Sequence, residues 1–237
     1  SYRLSLEWSK IEPTQGNYNT DVIKHYHTII DTLIDNNIVP VITLHHFTDP
    51  LWFHELGAFE KKINNKIFIN YSKIIFAEFS SKVKTWCTIN EPSVYTTHGY
   101  FTGIFPPGKN NLQLASSVLR NLLDLHTSLY HVLKKMPNGK DVKIGIVKNI
   151  TQFDPYRRYS LMDWIIACIS NQFYNNSVIN FFKNGRFRIK IPGLAWINYY
   201  NKNAIGAMDF FGLNYYSHSH VKFKFSLKEF FELRFLE

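Results

Sequence analysis

A chain of 237 residues with 45% hydrophobic and 19% charged residues can bury a substantial core, which excludes a disordered protein. The formal net charge is +9, yet the basic doublets Lys61-Lys62, Lys134-Lys135 and Arg157-Arg158 are scattered through ordinary amphipathic sequence, so neither a nucleic-acid nor a membrane partner is expected. No apolar run approaches the roughly 20 residues that span a bilayer, and Cys87 and Cys168 sit in apolar stretches as reduced core thiols, with no disulfide framework or zinc spacing.

In chain order, Ser1 leads straight into the strand-like run Arg3–Trp8, so residues are expected to precede it. Asp21–Asn36 follows with Val22, Tyr26, Ile29, Ile30 and Leu33 at helical spacing. Val39–His45 reads as a strand and Lys66–Ser80 as a helix. Lys84–Asn90 is a third strand, Leu112–Lys135 a longer helix stopped by Pro137 and Gly139, and Lys143–Asn149 a fourth strand. Met162–Lys183 reads as one helical region and Phe210–Tyr215 as a fifth strand. At the end, Val221–Phe225 alternates like a strand, and Ser226-Leu227-Lys228-Glu229 forms a possible capping box opening a helix with Phe230, Phe231, Leu233 and Phe235.

Alternating strands and helices, with strands apolar on both faces, predict a parallel sheet covered by helices. Periodicity leaves a curled (β/α) barrel and a doubly wound sheet both open. Two features favour the barrel. His45-His46, Asn90-Glu91, Asn149 and Asn214-Tyr215-Tyr216 all fall at the C-terminal ends of strands, which converge on one mouth in a barrel. No glycine-rich phosphate loop follows the first strand, as a dinucleotide-binding sheet would require.

The sharpest chemical segment is Thr85-Trp86-Cys87-Thr88-Ile89-Asn90-Glu91-Pro92. A carboxyl directly after a buried strand is partly desolvated, and burial favours the protonated form that a general acid must carry. Asn90 offers an amide to a sugar hydroxyl, and Pro92 is expected to hold Glu91 extended. A solvated loop residue remains the plain alternative for Glu91, as a satisfied core histidine does for His46, a structural ion pair for Arg3 and simple packing for Tyr216.

This segment resembles the acid/base motif of glycoside hydrolase family 1, the β-glucosidase-like enzymes. Further motifs fall in the family's order. Residues 2–13 (YRLSLEWSKIEP) look like its second barrel strand, and 41–50 (VITLHHFTDP) like its third. Residues 99–108 (GYFTGIFPPG) resemble the loop after the acid/base strand, and 209–216 (DFFGLNYY) the sixth strand. The resemblance implies a single incomplete domain over 1–237: a partial TIM (β/α)8 barrel of parallel strands lacking the first and the last two. It also implies a retaining β-glycosidase acting on terminal β-linked glycosides or oligosaccharides, without cofactor or metal.

Position by position, Glu91 matches the acid/base and Asn90 the residue that binds the 2-hydroxyl. His46 matches the histidine at the 3-hydroxyl, Arg3 and Tyr216 the pair that holds the nucleophilic carboxylate, and Asn214 a polar group near the acid/base. Two departures stand out. Leu56-Gly57-Ala58-Phe59 replaces a frequent Gly-Gly-Trp, and the Glu-Asn-Gly nucleophile motif does not occur. The chain as written is therefore expected to hydrolyse glycosides negligibly, and its open edges to make it associate. A non-catalytic sugar-binding or interaction protein on the same scaffold is the alternative. A cytoplasmic location is expected; the sugar, the aglycone and the oligomeric state are left open.

Overall fold

The computed structural model describes residues 1–224 and 231–235. Its centre is a five-stranded sheet of β1 (Tyr2–Ser5), β2 (Pro40–His45), β3 (Thr85–Asn90), β4 (Lys143–Asn149) and β8 (Phe210–Asn214). Each neighbouring pair is parallel. The three middle strands are buried almost throughout, which explains their continuous apolar runs. The two edge strands are half-buried and unpaired on their outer sides among the described residues.

Helices α2 (Thr20–Asp35), α4 (Asn65–Phe79) and α6 (Leu112–Leu133) form the crossovers between the first four strands, with the short helices α3 (Leu51–Glu55) and α5 (Pro92–Thr96) in the loops after β2 and β3. The starts of α2 and α6 have a local cause. Asn19 accepts hydrogen bonds from the backbone of Asp21 and Val22, and Asn111 from that of Leu114, satisfying amides that have no partner within the helix. Helix α4 buries Phe68, Tyr71, Ile75, Phe76 and Phe79 against the sheet, and α6 buries Leu119, Leu122, Leu125 and Leu129.

One polar tie joins three of these layers. His126 of α6 donates from Nε2 to the carbonyl of Ala207 at 2.8 Å and meets the Thr88 hydroxyl of β3 through Nδ1 at 2.6 Å. Ala207 lies just before β8, so this buried imidazole couples the strand ending at Glu91 to the strand ending at Asn214. Burial pushes His126 down to about 4, opposed by the Ala207 carbonyl, so the ring is neutral at pH 7.

Between β4 and β8 the chain departs from a simple crossover. Strand β5 (Gln152–Pro155) precedes α7 (Leu161–Asn171), a π-helical turn at Gln172–Asn176, and α8 (Ser177–Asn184). A two-stranded ribbon, β6 (Arg186–Ile191) and β7 (Ala195–Tyr200), follows. The predicted single helix over Met162–Lys183 is thus interrupted in its middle. Strand β9 (His218–Phe223) pairs parallel with β5 and antiparallel with β10 (Phe231–Phe235).

Three further expectations are corrected. Trp8 is not in β1 but opens the short helix α1 (Trp8–Ile11), because the Glu7 carboxylate caps Ser9. Residues 231–235 form a strand paired antiparallel with β9 rather than a helix. The capping box at 226–229 lies outside the described residues. Cys168 is exposed rather than in the core, while Cys87 is buried as expected.

Candidate active site

The parallel strands bring their C-terminal ends together, and most of the singled-out side chains meet there. Arg3 rises from β1. Its guanidinium donates through Nε to the Thr43 hydroxyl at 2.8 Å and through Nη2 to Asn90 Oδ1 at 2.5 Å. That second bond fixes the Asn90 amide, which is buried at the end of β3.

Glu91 follows directly and is 6% exposed. The Asn214 amide, from the end of β8, donates to Glu91 Oε1 at 2.5 Å. The Glu91 backbone is not extended, contrary to the sequence expectation. It adopts φ 47° and ψ 61°, a left-handed conformation. Pro92 closes the right-handed helical region to the residue before it. The register of β3 against β4 also shifts between Cys87 and Asn90. The Glu91 amide donates to the Val147 carbonyl at 2.7 Å, and its own carbonyl accepts from Val94 and Tyr95. Such a conformation costs on the order of 1–3 kcal/mol in a residue with a Cβ, and strain of this kind collects at functional sites.

The two histidines at the C-terminal end of β2 divide their roles. His45 is the core residue: it bonds Asp49 at 3.0 Å and packs edge-on to Phe59, Phe68 and Tyr95. The buried Asp49 side chain also accepts from the Tyr95 hydroxyl at 2.7 Å. His46 instead reaches the exposed opening, with Nδ1 2.7 Å from the Ser5 hydroxyl, leaving Nε2 for a ligand. Burial lowers the His46 imidazole below its ordinary value; Arg3 adds to that and Glu91 opposes it. A neutral ring suits hydrogen bonding to a hydroxyl.

Tyr216 is not gathered into the cluster. It is 74% exposed, and no hydrogen bond joins it to Arg3 or Glu91 among the described residues. Two of the Arg3 donors go to Asn90 and Thr43, and neither partner touches Tyr216 by a hydrogen bond among the described residues.

The sequence reading passed over Ser5, Asp49, Lys148 and Tyr174. Lys148 is fully buried in β4; its ammonium bonds the Asn149 carbonyl and lies 4.0 Å from the Tyr174 ring centre. Burial pushes it down to about 7, with Glu91 opposing. Tyr174 in turn donates to Asn149 Oδ1 at 2.7 Å. The visible signal for Lys148 is a lone cation inside an apolar strand; Ser5 and Asp49 carry no such mark.

A buried carboxyl, two oriented amides and a neutral imidazole around one opening can bind adjacent hydroxyls and move a proton. No metal-binding group of three or more His, Cys, Asp or Glu side chains occurs among the described residues.

Comparison with known proteins places this geometry in context. Residues 1–231 match the family model for glycosyl hydrolase family 1. A 1,4-β-D-glucan glucohydrolase from Thermotoga neapolitana is 33% identical over 234 residues, covering 94% of this chain and 54% of the relative. A 6-phospho-β-galactosidase from Clostridium acetobutylicum is 30% identical, covering 93% and 49%. Among solved structures, a β-glycosidase from Pyrococcus horikoshii superposes with a TM-score of 0.86 at 34% identity, over 99% of this chain and 52% of that one. The chain thus spans about half the length of the relatives it matches, and its open parallel arc is a partial TIM barrel.

Proposed function

This chain belongs to glycosyl hydrolase family 1, and from that premise we propose that it supplies the acid/base half of a retaining β-glycosidase site. The observation that carries the reading is the Glu91 carboxyl. It is buried at the strand ends, held by Asn214, and flanked by Asn90 and His46. Glu91 protonates the glycosidic oxygen as the bond to the anomeric carbon breaks. A second carboxylate, about 5 Å away in retaining enzymes, attacks that carbon from the opposite face. Glu91 then takes a proton from water, which releases the sugar with its original configuration. Asn90 and His46 bind hydroxyls of the same ring, the first more strongly as positive charge develops.

The substrate class is a terminal β-linked glycoside. Solved complexes of the Thermotoga maritima β-glucosidase with glucoimidazole and castanospermine support a sugar-sized ligand for this scaffold. The phospho-galactosidase relative keeps phosphorylated sugars within the class. With no Glu-Asn-Gly motif in the sequence, the second carboxylate must come from outside these residues.

The test is a chimera in which this chain replaces the homologous half of the Thermotoga neapolitana relative. The chimera is expected to hydrolyse an aryl β-glucoside, with Glu91→Gln lowering kcat/KM by about 10²–10⁴-fold on a poor leaving group. The isolated chain is expected to show negligible turnover. A Glu91→Gln chimera as active as its parent removes the assignment.

A further inference from the structure

The ribbon β6–β7 has two unlike faces. Inward, Phe187, Ile189, Ile191, Ala195 and Ile197 are buried in the core. Outward, three cross-strand rows carry Arg186 with Tyr200, Arg188 with Asn198, and Lys190 with Trp196. All six are exposed, Trp196 at 63% and Tyr200 at 59%. The Lys190 ammonium lies 4.4 Å from the Trp196 ring centre. At the tip, the Pro192-Gly193 turn leaves Leu194 exposed. The inward face alone accounts for the ribbon's packing, so the outward face is not needed for folding.

Its charge is one-sided. Residues 164–208 contain Lys183, Arg186, Arg188, Lys190 and Lys202 and no aspartate or glutamate. Lys183 and Lys202 flank the end where Asn201 closes onto Gly185. The opposite end carries Leu194 and Trp196, and the Trp196 amide donates to Gln113 in the first turn of α6. That turn follows the loop after β3, so the apolar tip lies on the side of the fold where the strands end. Arg186, Arg188 and Lys190 thus share one flat strip with an apolar tip, with Lys183 and Lys202 at its other end.

We propose that this face docks on an anionic lipid surface. A two-stranded ribbon has no walls to grip a polymer, but a planar partner can touch all six side chains at once. Trp and Tyr favour the boundary between water and hydrocarbon, since each joins an apolar body to a polar tip. Arg and Lys keep their charge at the headgroups while their stems lie along apolar surface. Juxtaposed cations of this kind are attracted additively to a negatively charged leaflet.

The experiment is flotation of the whole chain on vesicles, which separates binding from aggregation because aggregates sink. Vesicles of phosphatidylcholine alone are compared with vesicles containing roughly one-third phosphatidylserine. The chain is expected to float only with the second and to be released at about 0.5 M salt. Arg186→Ser with Arg188→Ser and Lys190→Ser should keep the melting curve and weaken binding on the order of 100-fold. Lys24→Ser with Lys66→Ser and Lys140→Ser removes the same charge from elsewhere and should float like wild type. Equal flotation on neutral vesicles, no flotation, or equal loss in both triple variants overturns the proposal. So does tighter binding of a single-stranded oligonucleotide or a polyuronate through the same three cations. Should the first triple variant fail to fold, Trp196→Ser with Tyr200→Ser, which leaves the net charge unchanged, should also weaken flotation on the anionic vesicles, and undiminished flotation of that variant overturns the proposal.

Discussion

Acidification should loosen the tie between the strand of Glu91 and the strand of Asn214. His126 is fully buried and held down to about 4 by that burial, against an ordinary 6.5. The unfolded chain therefore binds a proton that the folded chain refuses. Because the folded value is depressed, the stability from the neutral ring is complete above about pH 6.5 and is lost as pH falls towards 4. The gap is about 2.5, and at about 1.36 kcal/mol each it amounts to about 3 kcal/mol below pH 4, with about 2 kcal/mol already lost at pH 5. The comparison is His126→Gln, whose amide can still accept from Thr88 and donate to the Ala207 carbonyl but does not titrate. In the completed chimeric barrel, urea unfolding followed by tryptophan fluorescence is measured from pH 7.5 to 4.5. Wild type should lose about 2 kcal/mol more than the variant between pH 7 and 5. Parallel curves for the two proteins would refute the reasoning, because the ring would then not be the buried neutral group described.

Three further outcomes follow from other contacts. Asn214→Ala strips Glu91 Oε1 of its donor and should lower chimera kcat/KM by about ten- to a hundredfold, while leaving the unfolding midpoint nearly unchanged; unaltered kinetics contradict the role. The Arg157 guanidinium holds the buried Asp163 carboxyl well below the usual range. That stability is present above about pH 4 and lost as pH falls through the folded value, and Asp163→Asn should lower the denaturant midpoint at pH 7; an unchanged midpoint contradicts the role of the pair. Among the described residues β1 and β8 each have an open outer edge, so sedimentation should find the isolated chain associated; a monomer that unfolds cooperatively contradicts this.

The sheet was legible where burial is two-sided. Lys143–Asn149 runs over the same residues in sequence and structure because its apolar run is bounded by charged residues at its start and by the polar cluster at the mouth. Trp8 misled because an aromatic continues a strand pattern, whereas the Glu7 carboxylate starts a helix there. The Met162–Lys183 periodicity is real on both sides of a π-helical turn that no local residue announces. The ribbon at 186–200 had a signal that the reading passed over: RFRIKI alternates strictly and runs into Pro-Gly, with a second β-prone run after it. For 231–235 the local capping pattern pointed to a helix, and pairing with β9 prevailed.

Within the site, Glu91, Asn90, His46, Arg3 and Asn214 were identified through motif resemblance, and the fold brings them together. Ser5 and Asp49 act on histidines that are distant or inconspicuous in sequence, so only the fold shows them. The left-handed turn at Glu91 was hidden because the proline rule excludes one backbone region without choosing between the others.

The most direct measurement of the central claim uses Glu91→Ala in the chimera with an activated aryl β-glucoside and added azide. If Glu91 is the acid/base, the activated leaving group departs unaided and a glycosyl-enzyme accumulates. Azide, needing no base, then releases it as the β-glycosyl azide and restores turnover. No azide effect, or a product of α configuration, contradicts the assignment of Glu91 and the retaining course of the reaction.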